Sequence, residues 1–196
     1  MNISKAKLKS LSRGLKVFFD ILFWVSVVSA AISLLFLIAT FFINENFFTF
    51  LKARAGLSVM VGVIKFNIDP SLYENINLKH LLQTMLPMVT VLFSMSIVIS
   101  HNLRLILKTV ANDRPFEKNN AKRLFIISIV LIIVSVVWKI IEGIYALTIV
   151  NILKIESIDV NFSIDGAMLL TGVLILILAG VFRYGSYLQD EYDTTL

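Results

Sequence analysis

Residues 104–124, RLILKTVANDRPFEKNNAKRL, form a short basic segment between two long apolar runs. The segment contains six Lys or Arg residues and only two acidic residues. Because basic loops of membrane proteins stay on the cytoplasmic side, this segment orients both neighbouring runs. The sequence therefore predicts a membrane protein whose middle loop is cytoplasmic.

The composition of the 196-residue chain indicates that lipid is its main solvent. Hydrophobic residues make up 58% and charged residues 16%, and the mean hydropathy is +0.87. The absence of Cys excludes disulfides, thiolate metal sites and thiol nucleophiles. The net charge of +5 comes without a nucleic-acid recognition motif, so we expect membrane lipids as partners and no direct nucleic-acid binding.

Four apolar segments are long enough to cross a hydrocarbon core about 30 Å thick. The predicted spans are residues 17–43, 80–107, 123–150 and 165–183. They leave outer loops at 44–79 and 151–164, a cytoplasmic loop at 108–122 and a cytoplasmic tail at 184–196. With both termini inside, twelve of the eighteen Lys and Arg residues are cytoplasmic and five are outside, in agreement with the positive-inside rule.

Two segments of the outer loops have the pattern of β-strands. Residues 58–68 are mostly apolar and β-branched around Gly62, and residues 157–164 alternate strictly between apolar and polar. A lone strand leaves its backbone unpaired, so we expect the two segments to pair. The predicted fold is an all-α polytopic membrane protein with four transmembrane helices, both termini cytoplasmic, and a small extracellular β-sheet formed by the two outer loops.

Three charged residues, Asp20, Lys139 and Glu142, lie within or at the ends of predicted spans, where charges are candidate functional groups. Lys139 and Glu142 are three residues apart and Asp20 follows Lys16 by four, which predicts a local ion pair in each case. A proton or ion relay through Lys139 and Glu142 is the alternative.

No catalytic, cofactor-binding or metal site is predicted. His80 and His101 are 21 residues apart on one predicted helix, about 31 Å, and cannot share a metal. No nucleophile triad, zinc helix or glycine-rich phosphate loop is present in the sequence. We therefore expect no cofactor and no enzyme activity.

The middle loop carries one local structural signal. Asn112 or Asp113 is predicted to cap a helix whose first turn contains Pro115. Lys118 and Lys122 follow on the same helix. This pattern fits either a rigid turn with lipid-facing cations or a docking surface.

Two short motifs resemble a known family. The loop pattern PF-x3-N-x2-RL is met by Pro115, Phe116, Asn120, Arg123 and Leu124, and the tail pattern R-x-G-x2-LQ-x-E-x-D-x-T is met by Arg183, Gly185, Leu188, Gln189, Glu191, Asp193 and Thr195. Both resemble a bacterial family of small four-span membrane proteins catalogued as domain of unknown function 2975. Leu196 stands where that family usually has Val. The resemblance implies no established activity, and it implies a regulatory role because such proteins are often encoded beside a small helix-turn-helix regulator.

The two motifs are expected to form one cytoplasmic surface, in which Glu191 or Asp193 pairs with Arg123. The candidate surface comprises Pro115, Phe116, Asn120, Arg123, Arg183, Gly185, Gln189, Glu191 and Asp193.

The leading functional prediction is a non-enzymatic regulator or sensor in the bacterial cell membrane that acts on a cytoplasmic partner such as a helix-turn-helix transcription factor. The alternative is a small transporter or immunity protein that handles peptides or lipophilic compounds. In that case the polar or helix-breaking residues of the second span would line a path: Gln83, Thr84, Pro87, Thr90 and Ser94. Either function leaves room for a homo-oligomer.

Overall fold

The computed structural model describes residues 2–54, 58–61, 64–67, 77–153 and 165–194. Five helices account for most of these residues: α1 (Asn2–Phe42), α2 (Glu45–Arg54), α3 (Leu78–Ala111), α4 (Lys118–Leu153) and α5 (Gly166–Thr194). Four of them, all except the ten-residue α2, are long and apolar enough to cross a membrane. They fit the predicted four-span protein.

The described strands form a hairpin inside one loop. β1 (Ser58–Val61) pairs antiparallel with β2 (Ile64–Asn67), with Ser58 opposite Asn67. The predicted small extracellular sheet formed by the two outer loops is therefore wrong. The residues predicted as one strand, 58–68, thus contain two short strands that pair with each other, and Gly62 lies outside the described residues. The second predicted strand, residues 157–164, lies outside the described residues.

Side-chain caps begin two of the long helices. The Asn77 Oδ1 atom accepts a hydrogen bond from the His80 backbone N–H at 3.0 Å, and the Asp165 Oδ1 atom accepts one from the Met168 N–H at 3.0 Å. Each carboxamide or carboxylate oxygen satisfies a first-turn N–H that has no partner within its own helix. The starts of α3 and α5 are thus set by local sequence.

The end of α3 has a Schellman geometry. The Asp113 N–H donates to the Val110 carbonyl at 3.1 Å, and the Arg114 N–H donates to the Thr109 carbonyl at 2.9 Å. Asp113 has a φ of 62°, a left-handed conformation that Asp tolerates better than most side chains. The predicted capping role of Asn112 or Asp113 is therefore wrong, because these residues end α3, and α4 begins only at Lys118, after Pro115.

The chain divides into two compact units. The first comprises Met1–Ser29, Leu92–Val137 and Ile164–Leu196. Its core is an apolar cluster of residues from α3, α4 and α5: Ile106, Leu124, Ile127, Leu131 and Ala179. This unit contains both sequence motifs.

The second unit comprises Ala30–Val91 and Trp138–Ser163. Within it the Ser33 and Thr90 hydroxyls lie 3.0 Å apart and join α1 to α3, and the Lys79 ammonium donates to the Ile43 carbonyl at 3.2 Å. The cation thus satisfies a carbonyl just past the end of α1.

Within the first unit, α4 and α5 pack through small residues spaced seven apart. The buried series are Ala121, Ser128 and Ser135 on α4, and Gly172, Ala179 and Ser186 on α5. A Cβ at Gly172 would lie 2.8 Å from the Ile132 Cγ1 atom and 3.2 Å from the Ser128 carbonyl oxygen. Small residues let membrane helices approach closely where no hydrophobic effect drives them together. The spacing of the Ser, Ala and Gly residues carries this heptad signal, which the apolar runs alone do not reveal.

Candidate functional site at the α3–α4 turn

Asn120 is fully buried at the start of α4 and connects three parts of the turn. Its Nδ2 atom donates to the Thr109 hydroxyl at 2.6 Å and to the Pro115 carbonyl at 2.9 Å. Its Oδ1 atom accepts from the Arg123 Nη1 atom at 2.8 Å. We call this arrangement of Thr109, Pro115, Asn120 and Arg123 the turn clamp.

Within the turn clamp, Thr109 and Asn120 satisfy the polar groups of their side chains inside the protein. The Thr109 hydroxyl accepts a hydrogen bond from Asn120 and donates one to the Ile106 carbonyl at 2.7 Å. It is therefore used both as a donor and as an acceptor. Arg123 Nη1 also lies 3.5 Å from the Leu105 carbonyl near the end of α3. Buried polar groups are costly unless they are paired, and a network paired this fully rigidifies its surroundings.

Phe116 brings the loop motif and the tail motif together. Its ring centroid lies 5.3 Å from that of Phe182, and a Cβ at Gly185 would lie 2.8 Å from its Cδ1 atom. Gly185 is therefore the position on α5 that admits the Phe116 ring. The contact between the motifs at this point is apolar.

Three further residues of the tail motif lie on the final turns of α5, whereas Thr195 lies outside the described residues. Arg183, Gln189 and Glu191 are exposed. The side chain of Asp193 lies outside the described side chains, and pairing of Glu191 or Asp193 with Arg123 stays a prediction.

A second polar cluster of the first unit surrounds Asp20. The predicted ion pair with Lys16 is confirmed at 2.5 Å, and Arg104 approaches the other carboxylate oxygen at 3.6 Å. Arg104 also bonds the His101 Nδ1 atom at 3.1 Å and stacks over the Phe23 ring at 3.9 Å from its centroid. Sequence analysis missed Arg104, His101 and Phe23 because 78 or more residues separate Phe23 from its partners on α3.

Two further ion pairs are partly or largely exposed to solvent. The predicted pair between Lys139 and Glu142 is confirmed at 2.7 Å, and both side chains are about one-third exposed. The Lys9 ammonium contacts the Asp113 carboxylate at 2.8 Å, where the Asp113 side chain is 68% exposed. An exposed pair of this kind contributes about 0–1 kcal/mol.

Among the described residues, no group of three or more His, Asp or Glu residues is placed to hold a metal ion. His80 and His101 both lie on α3, within Leu78–Ala111.

The fold defines an integral, multi-pass membrane protein built on four long apolar helices. Residues 69–196 match the family described as protein of unknown function (DUF2975), and the chain belongs to that family. The matched region includes the turn clamp, Phe116 and all of α5. No curated protein and no solved structure matches the chain.

Proposed function

We propose that this protein is a non-enzymatic membrane regulator that binds a cytoplasmic protein through the C-terminal part of α5. The observation that carries the proposal is an exposed stripe of three tyrosines and a leucine on that helix. Tyr184, Tyr187 and Tyr192 are 63–67% exposed and Leu188 is 46% exposed. Spacings of three, four and eight residues place all four on one face of α5. We call this face the tyrosine stripe.

The length of α5 distinguishes a docking surface from an interfacial aromatic belt. The headgroup region is about 5–8 Å thick on each side of the hydrocarbon core. Tyr192 follows Arg183 by nine residues, roughly 14 Å along a helix. Interfacial anchoring explains Tyr184, but Tyr192 would extend beyond the headgroups into water. An aromatic side chain exposed there is typical of a protein-binding site.

The charges beside the tyrosine stripe indicate the chemistry of the partner. Asp190 is exposed next to the stripe, and Glu191, four residues after Tyr187, is exposed on the same face as the stripe. A partner with an apolar groove and a basic rim would complement this surface. Small DNA-binding regulators carry basic surfaces, so this partner class agrees with the regulatory role that the family resemblance implies.

Phe116, which follows Pro115 of the turn clamp, gives the stripe a defined base. Phe116 packs against Gly185, one residue after Tyr184, so the first exposed turn of α5 contacts the turn that joins α3 to α4. A shift of either helix end would therefore move the stripe. This is the physical connection that a regulator needs between its membrane helices and its partner surface.

The polar groups of the second span support helix packing more than a transport path. The Thr84 hydroxyl donates to the Leu81 carbonyl at 2.9 Å, and the Thr90 hydroxyl donates to the Leu86 carbonyl at 2.9 Å and contacts Ser33. These hydroxyls are already used within and between helices. For this reason we favour the regulator over the transporter or immunity protein.

A photocrosslinking amino acid at Tyr192 tests the proposal in living cells. We expect one discrete protein adduct, because the stripe holds its partner at the tip of α5. The variant Tyr187→Ser should lower the adduct yield at least tenfold, since an aromatic hot spot contributes about 2 kcal/mol or more to binding.

The matched control places the same amino acid at Phe42, an 83% exposed aromatic residue at the far end of α1. We expect no such adduct from this position. Adducts from Tyr192 with lipid alone, or the same adduct from Phe42, would contradict the proposal.

A further inference from the structure

A groove of about 560 Å³ lies between α4 and α5 in the first unit. Its volume falls within the range of about 300–1,000 Å³ that is usual for ligand sites. Three cationic side chains, Lys118, Lys122 and Arg183, line it together with the apolar Phe125 and Leu176 and with Gly180. Among the residues that the structure describes, no acidic side chain lines the groove.

Among the described residues, the three cations have no carboxylate partner of the kind that other basic residues in this unit have. Lys9, Lys16 and Arg104 pair with carboxylates. Within the part of the chain that the structure describes, no carboxylate lies within ion-pair distance of the three cations of the groove. The groove is also adjacent to the first residue of α4, the positive end of a helix dipole. The three cations and the helix dipole thus both favour the binding of an anion.

The polar and apolar parts of the groove lie at different depths. Gly180 and Leu176 precede Arg183 by three and seven residues, so they lie about 4–10 Å deeper along the apolar part of α5. Phe125 likewise follows Lys122 by three residues on α4. The side chain of Phe125 is 50% exposed, and a Cβ at Gly180 would meet no atom within 4 Å. We call Phe125, Leu176 and Gly180 the apolar floor of the groove, and this floor is therefore open.

We propose that this groove binds an anionic phospholipid, with the phosphate-bearing headgroup at Lys118, Lys122 and Arg183 and an acyl chain along Phe125, Leu176 and Gly180. A soluble phosphate would bind the cations but leave the apolar floor uncovered. A phospholipid matches both parts, because its headgroup meets the cations and its acyl chain meets the deeper apolar floor. Basic pockets between transmembrane helices recognise anionic headgroups in this way. The site is independent of the protein partner proposed above.

Tryptophan quenching by brominated lipids measures binding at the groove. The reporter is Phe125→Trp in a chain whose own Trp24 and Trp138 are replaced by Phe, reconstituted in vesicles with dibrominated phosphatidylglycerol or dibrominated phosphatidylcholine. Each cation near an anionic lipid contributes about fivefold in association. We therefore expect phosphatidylglycerol to associate at least tenfold more strongly than phosphatidylcholine at this position.

A depth-matched control is Val181→Trp in the same background. Val181 is 56% exposed, does not line the groove, and lies roughly 100° from Gly180 and roughly 160° from Arg183 around the axis of α5. We expect less than twofold preference there. Equal preference at positions 125 and 181 would overturn the proposal, because it would reflect the net charge of the surface and not a site.

Two variants separate the headgroup contacts from the floor. The triple change Lys118→Gln, Lys122→Gln and Arg183→Gln should reduce the preference at position 125 to less than twofold. Gly180→Leu fills the floor without changing charge, and it should lower quenching by phosphatidylglycerol severalfold. Both changes are at exposed positions, so size-exclusion profiles should match that of the parent. A preference that survives the triple change, or phosphatidylglycerol quenching unaffected by Gly180→Leu, would refute the site.

Discussion

Asn120→Ala is expected to destabilise the protein by about 2–4 kcal/mol, because it removes three hydrogen bonds from a fully buried group. The alanine would leave the Pro115 carbonyl without its donor and the Arg123 guanidinium without its nearest acceptor. Unfolding of the detergent-solubilised protein by heat or denaturant measures the loss.

Asn119→Ala is the matched control for that variant. Asn119 is the preceding residue, has the same side chain and is exposed. Its replacement should change the free energy of unfolding by no more than about 0.5 kcal/mol, as is usual for surface substitutions. Equal losses for the two variants would show that Asn120 does not hold the turn.

Gly172→Leu is expected to cost about 1–3 kcal/mol, because overpacking forces neighbouring elements apart. The first atom of the new side chain would already lie 2.8 Å from the Ile132 Cγ1 atom and 3.2 Å from two backbone atoms of α4. Backbone atoms of a helix cannot move singly, so α4 and α5 would have to separate. The readout is again the free energy of unfolding in detergent.

Gly180→Leu provides the comparison within the same helix. A Cβ at Gly180 meets nothing within 4 Å, and Leu has a higher helix propensity than Gly by roughly 0.5–1 kcal/mol. We expect this variant to be as stable as the parent or slightly more stable. If both leucine variants destabilise equally, the close approach at Gly172 is not what holds the helices together.

Local sequence spacing predicted much of the membrane fold. Four apolar runs predicted the four long helices, and spacings of three and four residues predicted the ion pairs of Glu142 with Lys139 and of Asp20 with Lys16. These features depend on residues that are neighbours along one helix. Such neighbours remain neighbours whatever the tertiary structure is.

Features that depend on distant residues or on backbone conformation were missed or assigned wrongly. Asn120 and Thr109 are eleven residues apart, and they meet only because Asp113 reverses the chain with a positive φ. Asp two residues before Pro is also typical of a helix start, so the sequence pattern predicted the start of α4 where the end of α3 lies. Composition predicts a single strand for residues 58–68, because composition alone does not show that β1 and β2 run antiparallel.

The structure gives physical roles to several residues of the two motifs. In the loop motif Pro115 supplies a carbonyl acceptor, Asn120 and Arg123 supply the hydrogen bonds of the turn clamp, and Leu124 belongs to the buried core. In the tail motif Gly185 makes room for Phe116. These roles are structural, whereas the proposed functional contacts lie on the exposed tyrosine stripe and in the cationic groove.

The most direct test of the account is disulfide formation between Phe116→Cys and Gly185→Cys in native membranes under a mild oxidant. The chain has no cysteine of its own, so any disulfide reports this pair. The Phe116 Cγ atom lies 3.5 Å from the Cβ position at Gly185, which places the two Cβ atoms within about 5 Å, close to disulfide geometry. The control is the pair Phe116→Cys and Tyr187→Cys, because Tyr187 is exposed on another face of α5. The account predicts nearly complete cross-linking of the 116–185 pair and little of the control; no cross-link at 116–185, or equal cross-linking of both pairs, would contradict it.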